Sequence, residues 1–172
     1  MGSMTIARHE PDYFSDERTM LNRWLEFHRA TLAWKCEGLD AEQLRRRSVP
    51  PSSLSLLGLV RHMGEVEKHW FQRVMAREAA PARFYDDANP DGDIDDVETA
   101  DVDEAFAYWE DACARARTIE ASFASLDDHG HHPRRNADVS LRWVLVHMVE
   151  EYARHNGHAD LLRECIDGAT GD

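Results

Sequence analysis

The chain has 172 residues, of which 42% are hydrophobic and 31% charged, and its formal net charge is −13 at pH 7. That length supports one domain, spanning residues 1–172, with a core of ordinary size. The negative excess argues against nucleic-acid and anionic-membrane partners, both of which attract basic surfaces, and no apolar run is long enough to span a bilayer. Met1-Gly-Ser-Met4 lacks the charged-then-apolar pattern of a secretory signal. Residues 1–3 read as a vector-derived remnant ahead of a native Met4, and the cytoplasm is the expected compartment.

Four amphipathic segments follow in chain order, each read from apolar residues three and four apart. The first runs from about Asp16 to Cys36, with Met20, Leu21, Trp24, Leu25, Leu32 and Trp34 among its apolar positions. Ser15, Asp16 and Glu17 open it with a hydroxyl cap and early acids, which suit the exposed amides of a helix start. Trp24 and Trp34 exceed what one narrow core stripe needs, so a homodimer is expected through the surplus aromatic surface. A polar connection ends in Pro50-Pro51-Ser52-Ser53. The second segment spans about Leu54 to Arg77 and carries a broad apolar face from Leu56 to Met75.

The acidic stretch from Asp86 to Asp96 reads as a solvated surface loop. A calcium loop is the sharper alternative, suggested by Asp91, Asp93 and Asp95, but the Gly at the sharp turn and the closing bidentate Glu are missing. The third segment runs from about Val102 to Leu126, capped by Asp101 or Asp103. His129, His131 and His132 then fall in a polar loop, 127–138, where solvent exposure is expected. The fourth segment spans about Val139 to Ile166, opened by Asp138 or Ser140 and closed by Gly168. No stretch has a strand pattern. The fold class expected is all-α, a four-helix bundle with polar connections. Cys36, Cys113 and Cys165 are odd in number and form no CxxC pair, so buried, unpaired thiols are expected. Eighteen arginines against two lysines suggest a GC-rich source genome.

The chemistry concentrates in His147-Met-Val-Glu-Glu151-Tyr-Ala-Arg-His155-Asn-Gly-His158. At 3.6 residues per turn, His147, Glu151 and His155 form one ridge. His62, bordered by Leu59, Val60, Met63 and Val66, offers a third ligand from another apolar helix. Two imidazoles and a carboxylate suit Zn²⁺ best, with Ni²⁺ or Fe²⁺ as alternatives, and leave coordination positions open as a catalytic site requires. His62, Glu151 and His155 are therefore the expected metal ligands. His69, His147 and His158 read as polar histidines around the same groove. No Gly-x-Ser-x-Gly elbow, nucleophilic Cys–His pattern or glycine-rich phosphate loop is present.

Two stretches carry a family resemblance. Pro51-Ser-Ser-Leu-Ser-Leu-Leu-Gly-Leu-Val-Arg-His62 with Glu67-Lys-His-Trp70-Phe71, and His147-x3-Glu151-x3-His155-Asn-Gly-His158, resemble the second and last helices of the DinB/YfiT-like metalloprotein superfamily, over about Asp16 to Glu164. The branch it looks like is an uncharacterised actinobacterial one. The resemblance implies a four-helix bundle with a divalent metal on His62, Glu151 and His155. Glu151 stands where many relatives have His, an arrangement similar to mycothiol-dependent maleylpyruvate isomerase. Relatives of known activity are S-transferases and isomerases that join a low-molecular-weight thiol, such as mycothiol or bacillithiol, to a small electrophile. The alternatives are a non-catalytic, stress-related metal-binding protein and a metal-dependent hydrolase.

Overall fold

The computed structural model describes residues 8–171, so the expected remnant at residues 1–3 lies outside it. The elements run α1 (Glu17–Cys36), α2 (Ala41–Arg45), α3 (Leu56–Glu67) continuing as a π-helical segment (Lys68–Met75), α4 (Gly92–Asp95), α5 (Val102–Ser122), β1 (His129–His132), β2 (Ala137–Ser140) and α6 (Leu141–Asp167). The protein is mostly helical, with one small two-stranded sheet. No helix among the described residues is long and apolar enough to cross a membrane.

Local chemistry sets the helix ends. Asp16, rather than Ser15, caps α1 by accepting the Thr19 amide at 3.0 Å. Ser55 accepts the Gly58 amide at 3.1 Å, so α3 starts two residues later than the apolar pattern suggests. Asp101 and Ser140 cap α5 and α6, both among the expected candidates. Gly168, at φ 79°, ends α6 in the left-handed conformation that a side chain disfavours. In the polar connection after α1, a reciprocal Asp40–Gln43 capping box supports the short α2, which apolar periodicity alone does not reveal.

α1 packs along α6, α3 along α5, and α3 also meets α6. Leu25, Leu32, Leu59, Met63, Phe71, Trp109, Leu145 and Met148 are buried between these helices. Trp24 and Trp34 each remain 38% exposed on α1. Cys36 and Cys113 are buried and Cys165 is exposed, all three unpaired; the expectation of burial therefore fails at Cys165, on the outer face of α6.

The absence of strands expected from sequence is corrected by the hairpin at residues 129–140. His129 pairs with Ser140 and His132 with Ala137 in antiparallel register. Asn136, at φ 46°, turns the chain between the strands. Gly130 lets the hairpin lie directly on the π segment: a Cβ there would come 2.6 Å from the Met75 Cα. His132 points inward and is 7% exposed, while His129 stays exposed. Polar residue types hide this alternation, because β-branched and aromatic runs are what mark a strand in sequence.

The centre of the core holds charge. Glu67, fully buried, receives two hydrogen bonds of 2.7 Å from the buried Arg29 guanidinium on α1. The Tyr152 hydroxyl on α6 donates to Glu67 Oε1 at 2.8 Å and accepts from the Trp109 indole on α5 at 2.8 Å. The Cys113 thiol lies 3.6 Å from the same carboxylate oxygen, and burial pushes it well above the ordinary thiol range. Removing one member of such a pair strands an uncompensated charge. Arg29→Leu is expected to cost about 3–5 kcal/mol of stability. Adding Glu67→Leu should restore much of that loss, as read from denaturant midpoints of the single and double variants.

Candidate metal centre

α6 buries Val144, Leu145, Met148, Tyr152, Asn156 and Ala159, a 3–4 repeat that fixes its rotation against the core. The adjacent ridge, His147, Glu151 and His155, is thereby set at the core's edge, each side chain partly buried. α3 faces it with His62. Ligand atoms of His62, Glu151 and His155 lie within 4.8 Å of one another, and the His62 and His155 rings are 4.9 Å apart at their centroids.

Each imidazole is held through one nitrogen. The Nδ1 of His62 is 2.8 Å from Asp93 Oδ2, and the Nδ1 of His155 is 3.3 Å from the Nδ1 of His158. Both rings keep Nε2 for a ligand, and that of His155 is 3.5 Å from Glu151 Oε2. The other Glu151 oxygen is 3.4 Å from His147 Nε2. The neighbouring imidazoles hold the Glu151 carboxyl below its usual range, His155 first, against an opposing contribution from burial. The donor set fits a divalent cation: two imidazoles and an ionised carboxylate converge, and outer hydrogen bonds orient both rings. A second group, His147, Glu150 and Glu151, shares Glu151, but Glu150 is also paired with Arg154.

A cavity of about 420 Å³ opens beside His62, with His69, Trp70 and Tyr85 in its wall. A larger and more open groove of about 860 Å³ adjoins it near the hairpin turn, but none of the candidate ligands lines that groove. Trp70 also packs edge-on against His147, whose ring stacks on Trp143 at 4.8 Å.

The mycothiol-S-transferase family model matches residues 20–168. The chain belongs to that DinB-like family. Among solved structures it is similar to a conserved protein from Enterococcus faecalis, with 14% identity, a TM-score of 0.63, and coverage of 91% of this chain and 100% of the other. At that identity the likeness shows the fold alone. A comparison with curated proteins finds no match.

The stretch matched by the mycothiol-S-transferase model includes His62, Glu151 and His155, whose ligand atoms lie together in the structure. His158 and His147 contact that group, while His69 lines the cavity beside His62, its ring 5.2 Å from that of His132. Sequence reasoning missed Asp93. The acidic stretch expected to be a solvated loop winds into α4 on α3 and buries Asp93 to 5% exposure, against the back of His62. The available signal was Ile94 and Val97, three apart within the run of acids, which mark one side of the stretch as inward-facing.

Burial, then the nearby Arg73 and His132, pushes His69 down from 6.5 to about 4. Burial displaces His28, His132 and His158 downward too. Between pH 4 and 6.5 the unfolded chain therefore binds a proton at His69 that the folded protein does not. Stability from this residue is present above 6.5 and is lost as pH falls toward 4. Thermal melts of the apoprotein in chelator should shift down between pH 7 and 5, and His69→Gln should make that dependence shallower.

Proposed function

We propose that this protein is a metal-dependent S-transferase that joins a low-molecular-weight thiol of the mycothiol type to a small electrophile. The observation that carries the reading is the convergence of His62, Glu151 and His155 from two helices, within 4.8 Å, in a chain of the mycothiol-S-transferase family. The four long helical segments are read as a DinB/YfiT-type four-helix bundle in one domain, and the E. faecalis likeness supports that fold. The cytoplasm, where such thiols are kept reduced, is the proposed compartment.

His62, Glu151 and His155 would hold the ion, with zinc the best match to this donor set. A divalent ion so held supplies a Lewis acid that lowers the pKa of a bound thiol. The chain's own contribution is orientation and charge. Asp93 and His158 each engage Nδ1 of a ligand imidazole, which keeps Nε2 turned to the centre. Glu151 stays ionised at neutral pH and adds the one formal negative charge among the three ligands. The Trp70 and His69 rings wall the cavity next to His62.

His62→Ala and His155→Ala are each expected to lower metal stoichiometry sharply in elemental analysis while circular dichroism keeps its helical signature, because the fold rests on the apolar faces. Glu151→Gln should also lose metal and thiol-transfer activity, since a neutral amide is a much poorer ligand than a carboxylate. Thiol consumption should require both mycothiol and metal and should stop with chelator. Full metal occupancy in both histidine variants refutes the site. Full occupancy in the parent protein, with no thiol consumed across a panel of electrophiles, favours a non-catalytic metal-binding role.

Asp93→Asn tests the orienting hydrogen bond separately. The carboxylate fixes the tautomer and ring orientation of His62 through its hydrogen bond to Nδ1, so the amide should weaken metal affinity about 10–100-fold with the three ligands still in place. Competition with a chromogenic chelator reads the change.

A further inference from the structure

The cavity beside His62 is strongly one-signed. Glu65, Asp86, Asp87, Asp91 and Asp93 contribute five carboxyl groups to its wall, against a single guanidinium, that of Arg134. Two of the five are already matched. Glu65 is buried, accepts the Arg83 and Phe84 amides at 2.6 and 3.0 Å, and faces Arg73 at 3.5 Å. Asp93 is engaged by His62. Asp86, Asp87 and Asp91 remain, all exposed, on the segment that leads into α4. Asp86 Oδ1 accepts the Ala88 and Asn89 amides at 2.9 and 2.8 Å, which fixes the carboxylate without neutralising it. The wall also holds the Trp70 and Tyr85 rings. His69, pushed down to about 4, adds no positive charge at neutral pH. Low-dielectric walls of one sign focus the field of a cleft, and the net charge of −13 on the whole chain has the same sign.

We propose that the small molecule taken up by this cavity, whose wall includes His62 of the candidate metal centre, is uncharged or carries an ammonium group, and that Asp86, Asp87 and Asp91 turn away carboxylate- and phosphate-bearing molecules. The assignment rests on the S-transferase reading of the centre, and it narrows the electrophile to hydroxylated, amide-type or amine-bearing compounds. Three chloroacetamides test it. Their amide nitrogens carry a hydroxyethyl, a trimethylammonioethyl or a sulfonatoethyl arm, and they share one reactive carbon. In each reaction the thiol sulfur bonds to that carbon, the carbon–chlorine bond breaks, chloride leaves with the electron pair, and the thiol proton passes to buffer.

The metal-loaded protein is assayed with mycothiol, and each kcat/KM is divided by the uncatalysed rate with the same thiol. The sulfonate compound should fall at least about tenfold below the other two, the scale on which a one-signed cleft changes local ligand concentration. The Asp86→Asn/Asp87→Asn double variant should narrow the gap to about threefold or less, as expected if these charges set the field. Equal values for the three arms, or a gap untouched by the double substitution, overturn the proposal. If none of the compounds turns over, the S-transferase reading fails on its own, and the charge rule is read from binding. Unreactive acetamides with the same three arms, titrated while the tryptophan indole N–H resonances are followed by NMR, must show the sulfonate weakest; any other order overturns it.

Discussion

A carboxylate with no access to water organises the centre of this molecule. Glu67 is fully buried, and its charge is tolerable only because Arg29 and the Tyr152 hydroxyl both engage it. Those partners come from α1 and α6, and Trp109 of α5 supports Tyr152 from behind. One charge therefore ties three helices to the end of α3. It also fixes the rotation of α6. With Tyr152 turned into the core, Glu151 lies about 100° around the helix, at the core's edge, where His62 can meet it.

The candidate centre combines rigidity with unsatisfied donors. Asp93 and His158 restrain the two imidazoles through the nitrogens that do not face the centre. Glu151 is poised between two histidines one turn above and below it. The flanking imidazoles favour the ionised form of Glu151, and that carboxylate beside two imidazoles in a partly buried space is a donor set suited to a divalent cation.

The π-helical segment carries part of the cavity wall. The Ala76 amide reaches Phe71 O at 2.9 Å, one residue beyond the α-helical partner, so the turn is wider. Trp70 and His69 lie on this segment and meet His147 and His132. Gly130 permits the hairpin to seat on its far end. The wall is thus assembled from α3 and the π segment that continues it, the loop before α4 together with α4, and Arg134 at the hairpin turn.

Local and periodic features were legible in the sequence: four long amphipathic segments, the cap at Gly168, caps for α5 and α6 narrowed to two candidates each, and the ridge of His147, Glu151 and His155. Each depends on spacing along one helix or on a side chain bonding its own backbone, so nearby residues suffice to specify it. Tertiary structure alone decided the rest. α4, the hairpin, the widened turn after Glu67 and the burial of His132 and Asp93 depend on which surfaces those segments meet. Asp93 shows the difference most clearly. Among so many acids its composition reads as solvated, and only packing of α4 against α3 removes it from water and sets its carboxylate against His62. Intrinsic preference governs where chain neighbours supply the partner. Where the partner comes from thirty residues away or more, the energy of the contact exists only once the fold has formed.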